Sequence, residues 1–252
     1  KFFKNNKGNF EEENVIADNL KGLWQQIAPF DIDNDGDLDY LLGNWGTNSK
    51  FKASKENPLR MYYADFDGNG STETIVCNYK NGAYYPLVSF NELASQIVSL
   101  CKKFTTYKSF AGKSIEQIFD SSILENATIL EVHTLASGYL KNNHNTFTFI
   151  PFKNELQVSP ISSFLEFDFN NDGKTEVLTA GNYFGVSPYH GRFDSFPGAL
   201  IYNENKIELG NTIGLDFNQK AVKKLSVIYL KRKPYLLTTI NNDNAQVYHI
   251  YE

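Results

Sequence analysis

The sequence predicts a mainly β fold assembled from repeated strand units and interrupted by a small α-helical insertion. Three observations carry that expectation. Aromatic residues make up 15% of the chain, with 20 Phe and 15 Tyr, and such side chains suit pleated, half-buried strands better than helices. A nine-residue acidic pattern occurs three times, and each copy runs into a short apolar segment of strand formers. Between the second and third copies the periodicity changes to that of short helices with their own start signals.

Composition narrows the function classes. The 252 residues are 41% hydrophobic, enough for a real core and too many for a disordered chain. No apolar run approaches the roughly 18 residues of a membrane-spanning helix. Lys plus Arg number 24 against 29 Asp plus Glu, a net charge of −5. A nucleic-acid binder needs the opposite balance against phosphate, so none is expected as a partner. Two cysteines, Cys77 and Cys101, are too few for a disulfide framework, and the sequence leaves their pairing open. The opening Lys1-Phe2-Phe3-Lys4 is neither a signal peptide nor an initiator start, so the chain is expected to be a processed or partial product.

The first acidic copy is Asp31-Ile-Asp33-Asn-Asp35-Gly36-Asp37-Leu-Asp39, and the second is Asp65-Phe-Asp67-Gly-Asn69-Gly70-Ser71-Thr-Glu73. The third is Asp168-Phe-Asn170-Asn-Asp172-Gly173-Lys174-Thr-Glu176. Oxygen side chains fall at positions 1, 3, 5 and 9, with Gly at position 6. Ca²⁺ takes six to eight hard oxygen ligands, and a tight loop aims alternate side chains inward around such an ion. Gly permits the sharp turn. Position 7, Asp37, Ser71 or Lys174, is variable, as expected where only a backbone carbonyl serves. Mg²⁺ suits the pattern less, because it keeps its waters.

An EF-hand would require a bidentate Glu at position 12, where this chain has Leu42, Val76 and Thr179. The acid at position 9 instead leads into Tyr40-Leu41-Leu42, Thr74-Ile75-Val76 and Val177-Leu178-Thr179, so each loop is expected to open a strand. Asp, Asn and Gly are also ordinary turn residues, but three copies with the same oxygen positions favour an ion. Eleven of the 29 acids fall in these loops, and crowded carboxylates repel unless a cation neutralises them. About three Ca²⁺ ions are expected, moving the net charge to about +1.

The spacing between the second and third copies is much longer than that between the first and second, and the excess lies at 87–130. There Ser89-Phe-Asn-Glu92 reads as a capping box, and Ser114-Ile-Glu-Gln117 and Ser122-Ile-Leu-Glu125 repeat the signal. The expected organisation is 1–86 with two acidic loops, 87–130 helical, and 131–252 with one loop and a final unit without one. Strands are expected near 198–202, 225–230, 235–240 and 246–250, with Lys231-Arg232-Lys233-Pro234 as a turn.

The repeat extends past the loops into Leu42-Gly43-Asn44-Trp45-Gly46 and Ala180-Gly181-Asn182-Tyr183-Phe184-Gly185. On these residues the chain resembles the FG-GAP/VCBS repeat family, whose blades carry a calcium loop before a strand and build β-propellers. Phe2 through Phe10, Tyr139 through Phe147 and Leu200 through Asn205 resemble that family's blade hairpins. Gly43 through Ala53, Pro58 through Tyr62 and Gly181 through Asp194 resemble the C-terminal region of large bacterial VCBS-repeat proteins, many of them predicted surface lipoproteins. The resemblance implies four to five blades, an incomplete arc of a larger propeller. It also implies a bacterial cell surface or outer membrane, with the periplasm second and a lipid anchor upstream.

Catalytic signatures are lacking. Neither a nucleotide-binding glycine loop nor a G-x-S-x-G elbow occurs. Ser99-Leu-Cys-Lys102 matches S-x-x-K without its companion motifs. His133, His144, His190 and His249 have no metal spacing, and Asp120, Glu125 and Glu131 carry no catalytic weight. The best candidate binding surface is the glycine-punctuated segment 183–194, with Tyr183, Tyr189, His190 and Arg192, together with Trp45. Aromatic faces stack on sugars or partner side chains, and Arg anchors carboxylates. The competing expectation is that these aromatics fill gaps between blades while Arg192 pairs with Asp194. The expected function is a non-catalytic, calcium-stabilised module that binds a glycan or serves as accessory subunit of an outer-membrane complex. The alternative is a glycan-active lyase or hydrolase using Tyr189, His190 and Arg192 with an acid.

Overall fold

The computed structural model describes residues 1–16 and 20–250. It is mainly β, with 17 strands in antiparallel sheets and five short α-helices among the described residues. The strands are β1 (Phe2–Asn6), β2 (Asn9–Glu13), β3 (Gln26–Phe30), β4 (Asp39–Gly43), β5 (Leu59–Ala64), β6 (Glu73–Lys80) and β7 (Ala83–Pro86). Helices α1 (Phe90–Gln96), α2 (Leu100–Lys103), α3 (Tyr107–Phe110), α4 (Ile115–Ile118) and α5 (Ser121–Asn126) follow. Then come β8 (Thr128–Val132), β9 (Gly138–Asn143), β10 (Thr146–Pro151), β11 (Ile161–Phe167), β12 (Glu176–Gly181), β13 (Ala199–Ile201) and β14 (Ile207–Leu209). Strands β15 (Val222–Leu230), β16 (Lys233–Ile240) and β17 (Gln246–His249) close the chain.

The chain divides into two compact units. The larger comprises Lys1–Asn19, Leu23–Lys50 and Ala136–Glu252, and the smaller Leu20–Gly22 and Phe51–Leu135. Strand pairing underlies this division. Strand β4 pairs not with a strand of the next repeat but with β9, Tyr40 opposite Leu140. The second acidic loop therefore lies within the same intervening stretch as the helices. No local signal announces a pairing over such a separation, because it rests on hydrogen bonds between distant segments.

In the larger unit three sheets are built in the orders β10-β9-β4-β3, β11-β12-β13-β14 and β15-β16-β17, and the β1-β2 hairpin stands beside the first. Phe2 of that hairpin stacks on Phe147 and meets Tyr40 edge-on. The core between the first two sheets holds Phe30, Ile32, Leu41, Tyr139, Ile161 and Phe196. A second cluster, including Leu178, Leu200, Phe217, Leu225 and Leu236, joins the second and third sheets. The smaller unit has one sheet, β7-β6-β5-β8, whose Tyr62, Phe66 and Ile75 pack with Leu93, Ile97, Ile115 and Ile118 of the helical stretch.

The start signals at Ser89 and Ser114 form capping boxes with Glu92 and Gln117. The third does not: Asp120 is the N-cap of α5, which begins at Ser121, so Ser122 and Glu125 lie inside the helix. The basic turn is shorter than expected. Lys231 and Arg232 have φ of 50° and 66°, the pair of left-handed residues that a tight hairpin needs, while Lys233 and Pro234 already belong to β16. Cys77 is buried in β6, Cys101 is exposed in α2, and both are free thiols.

The Gly-Asn-aromatic motifs are architectural. A Cβ at Gly43 would lie 2.3 Å from the Ile161 carbonyl oxygen, and one at Gly181 would lie 1.8 Å from that of Pro160. Asn44 and Asn182 are buried. The Asn182 side-chain amide donates to the carbonyls of Phe196 and Phe217 at 2.9 Å and of Lys220 at 3.1 Å, and its oxygen accepts the Phe196 N–H at 3.0 Å. Asn44 receives the Trp45 N–H at 2.8 Å and donates to the Ala136 carbonyl. Replacing Asn182 by Ala strands these groups, and Asn182 also has φ of 77°, which Ala resists. The expected loss is about 3 kcal/mol in chemical denaturation; a shift well under about 1 kcal/mol would show that the amide is not a structural joint.

Candidate metal centres

Each acidic loop joins two paired strands, and the register at its base is the same in all three. Phe30 faces Asp39, Ala64 faces Glu73, and Phe167 faces Glu176. Position 9 is thus the first residue of the outgoing strand. Its burial follows from that place: Asp39 is 1%, Glu73 7% and Glu176 2% exposed.

The hydrogen bonds repeat as closely as the register. The position-9 carboxylate accepts the N–H of position 2: Ile32 to Asp39 at 3.1 Å, Phe66 to Glu73 at 3.0 Å, Phe169 to Glu176 at 3.0 Å. The position-1 carboxylate accepts the N–H groups of positions 5 and 6. Asp35 and Gly36 donate to Asp31, Asn69 and Gly70 to Asp65, and Asp172 and Gly173 to Asp168. The position-5 oxygen accepts from position 7, with Asp37, Ser71 and Lys174 as donors. Gly36, Gly70 and Gly173 have φ of 91°, 85° and 86°, the left-handed region that requires Gly there.

Ligand atoms of Asp31, Asp33 and Asp39, of Asp65, Asp67 and Glu73, and of Asp168, Asp172 and Glu176 each converge within 4.8 Å. Each set could hold a metal ion, and the donors are all oxygens. The second set shows the fit most directly. One carboxylate oxygen of Asp67, Oδ1, is buried and has no hydrogen-bond partner. An anionic oxygen hidden from water without a donor is costly unless a cation faces it. Asn170, at position 3 of the third loop, instead donates to Asp172 at 3.0 Å.

Two features of the loops escaped the sequence reading. Position 2 is apolar in every copy, and Ile32 and Phe66 are buried in the cores of their units, pinning the loop from beneath. Position 4, occupied by Asn34, Gly68 and Asn171, adopts φ of 60°, 74° and 57°. The Ile/Phe/Phe and Asn/Gly/Asn identities were the available signals.

The expected ligand surface splits in two. Trp45 packs against Tyr183 and Phe193 with ring centroids 5.4 Å and 5.3 Å apart. Arg192 pairs with Asp194 at 3.4 Å and lies over the Phe184 ring. Tyr189 stands out: it is 58% exposed, with the Lys50 ammonium 3.6 Å from its ring centre and bonded to its carbonyl. His190 meets Tyr189 edge-on in the same short 3₁₀ turn. Glu131, given no catalytic role, is bound by Arg60 at 2.9 Å beside Lys21 and His133. No family model matches the chain, and no curated protein matches it in sequence.

Burial pushes the carboxyl groups of Asp39 and Glu176 above the ordinary carboxylate range. Folded chains therefore hold these protons to higher pH than unfolded ones, so this contribution to stability is present at low pH and lost as pH rises through the folded value. Glu176→Gln keeps an acceptor for the Phe169 N–H but carries no charge. In chelator, its melting temperature relative to wild type should climb between about pH 4 and pH 7; a falling difference would contradict the assigned sign.

Proposed function

We propose that this chain is a non-catalytic, calcium-stabilised module of β-propeller blades, similar to FG-GAP/VCBS repeats, that works at a bacterial cell surface as a glycan-binding element. One observation supports it above the others: the same loop, with the same strand register and the same buried closing acid, is built three times. Asp31, Asp33, Asp35 and Asp39 hold the first ion, Asp65, Asp67, Asn69 and Glu73 the second, and Asp168, Asn170, Asp172 and Glu176 the third. The carbonyls of Asp37, Ser71 and Lys174 complete the donor sets. Sets of oxygen-only donors suit Ca²⁺ better than Mg²⁺, and extracellular modules take it at about 10⁻⁴–10⁻³ M.

The ion's role is structural. It neutralises carboxylates that strand pairing forces together, and so fixes the loops that launch β4, β6 and β12. Tyr189, with Lys50 beside it, offers an exposed aromatic ring and positive charge of the kind that meets sugars. A propeller arc at a surface would present that face to a polysaccharide, or to a partner in an outer-membrane complex.

Ligands that bind only the folded state stabilise by mass action, so calcium at ~100-fold excess is worth roughly 2.7 kcal/mol per site. Melting temperature should therefore rise with calcium and fall with EDTA, and Asp35→Ala should remove part of the response. An unmoved melting curve would leave the loops as turns. Retention on a panel of polysaccharides should fall for Tyr189→Ala while the calcium-bound melting temperature stays. Release of cut products would instead indicate an enzyme, and co-purification with membrane proteins without retention an assembly role.

A further inference from the structure

We infer that Lys141 is a tethered counter-cation of the first loop, holding Asp33 when no metal is bound and competing with the metal for it. The inference rests on the metal reading above and concerns an ion pair that, among the described residues, the position-3 side chains of the other two loops do not make, although Lys206 acts electrostatically on Asp172 and Glu176 of the third. Lys141 Nζ lies 2.5 Å from Asp33 Oδ2, and the two side chains are 28% and 10% exposed. Asp33 occupies position 3, whose counterpart in the second loop, Asp67, has a buried oxygen without a partner.

Register explains why the first loop has this device. Tyr40 faces Leu140, which places Lys141 across from Asp39 in the neighbouring strand. Tyr139 lies two residues earlier, on the same face of β9, and is buried in the core, so Lys141 emerges from that face at the loop. The next residue secures the arrangement: the Asn142 N–H donates to Asp39 at 2.7 Å and its side-chain amide to the Leu38 carbonyl at 3.2 Å. In the second sheet Val177 faces Ile201, so Tyr202 stands where Lys141 would be. In the smaller unit β7 ends its pairing with β6 at Pro86, opposite Cys77, so no β7 residue faces Glu73, whose one strand neighbour is Ala64 of β5.

Charge gives the reason for such a device. The first loop carries five carboxylates, Asp31, Asp33, Asp35, Asp37 and Asp39, whereas the other two carry three each. One ammonium on Asp33 offsets part of that excess in the metal-free protein. A metal entering the loop must draw Asp33 away from Lys141 and work against the ammonium's repulsion. Both lower the apparent affinity.

The test uses the full chain and calcium alone. By isothermal titration, Lys141→Met should tighten one calcium site roughly tenfold or more, the worth of a charge-assisted hydrogen bond. In chelator it should also melt below wild type. Lys224→Met, which removes an exposed lysine elsewhere, should leave the constants unchanged, and in an Asp35→Ala background the gain should vanish. Binding with unchanged constants in Lys141→Met, or an equal gain in Lys224→Met, overturns the inference and spares the metal reading. Failure of both wild type and variant to bind calcium overturns the metal reading and this inference with it. A second measurement needs no variant: acylation of Lys141 in the wild-type protein should quicken several-fold on calcium saturation, and an unchanged rate overturns the inference.

Discussion

A carboxylate is buried at the first residue of a strand, three times over, and much else in the protein follows from that. Asp39, Glu73 and Glu176 cannot turn to water, because the strands they begin are paired on the incoming side at that very residue. Each is held instead by the N–H of position 2, two residues into the loop. The position-2 side chain enters the core at Ile32 and Phe66 and packs against it at Phe169, so the loop is tied to the sheet through its acid and to the core through its apolar residue. Between these ties the oxygens of positions 1, 3 and 5 have little choice of direction. Buried, converging negative charge is unfavourable by itself, and a hard cation placed among these oxygens would offset it.

The same economy governs the residues after the strand. Gly43 and Gly181 let carbonyls approach where a side chain would collide, and Asn44 and Asn182 then bind backbone groups of segments that have no regular partner. Trp45 and Tyr183 emerge from these joints already packed against other rings. Their aromatic character is thus largely consumed by packing. Tyr189, displaced from the joint by the glycine-punctuated segment, stays largely exposed, with Lys50 over its ring. Packed and exposed aromatics are in this way separated along a dozen residues.

The loops were legible in the sequence because their chemistry is local: oxygens at fixed offsets and a Gly that needs a left-handed φ can be read without knowing the fold. The strands that follow them, the hairpin at 139–147 and the capping boxes at Ser89 and Ser114 were legible for the same reason. Partition of the chain was not. The pairing of β4 with β9 leaves no trace in either strand alone, so residues 51–86 looked like the next unit in a series. The α5 start was misplaced because Asp120 and Ser122 are both good N-caps and only tertiary packing chooses between them. Lys141 was invisible as part of a site, since its link to Asp33 exists only once β9 lies beside β4.

The central claim is that strand pairing builds three oxygen cages for calcium. Anomalous diffraction from crystals grown in calcium tests it most directly. The account expects a calcium peak inside each loop, with the carboxylates of positions 1 and 9 and the position-7 carbonyl at about 2.3–2.6 Å. Loops in the same conformation with no peak, and Asp67 turned out to water, would contradict it.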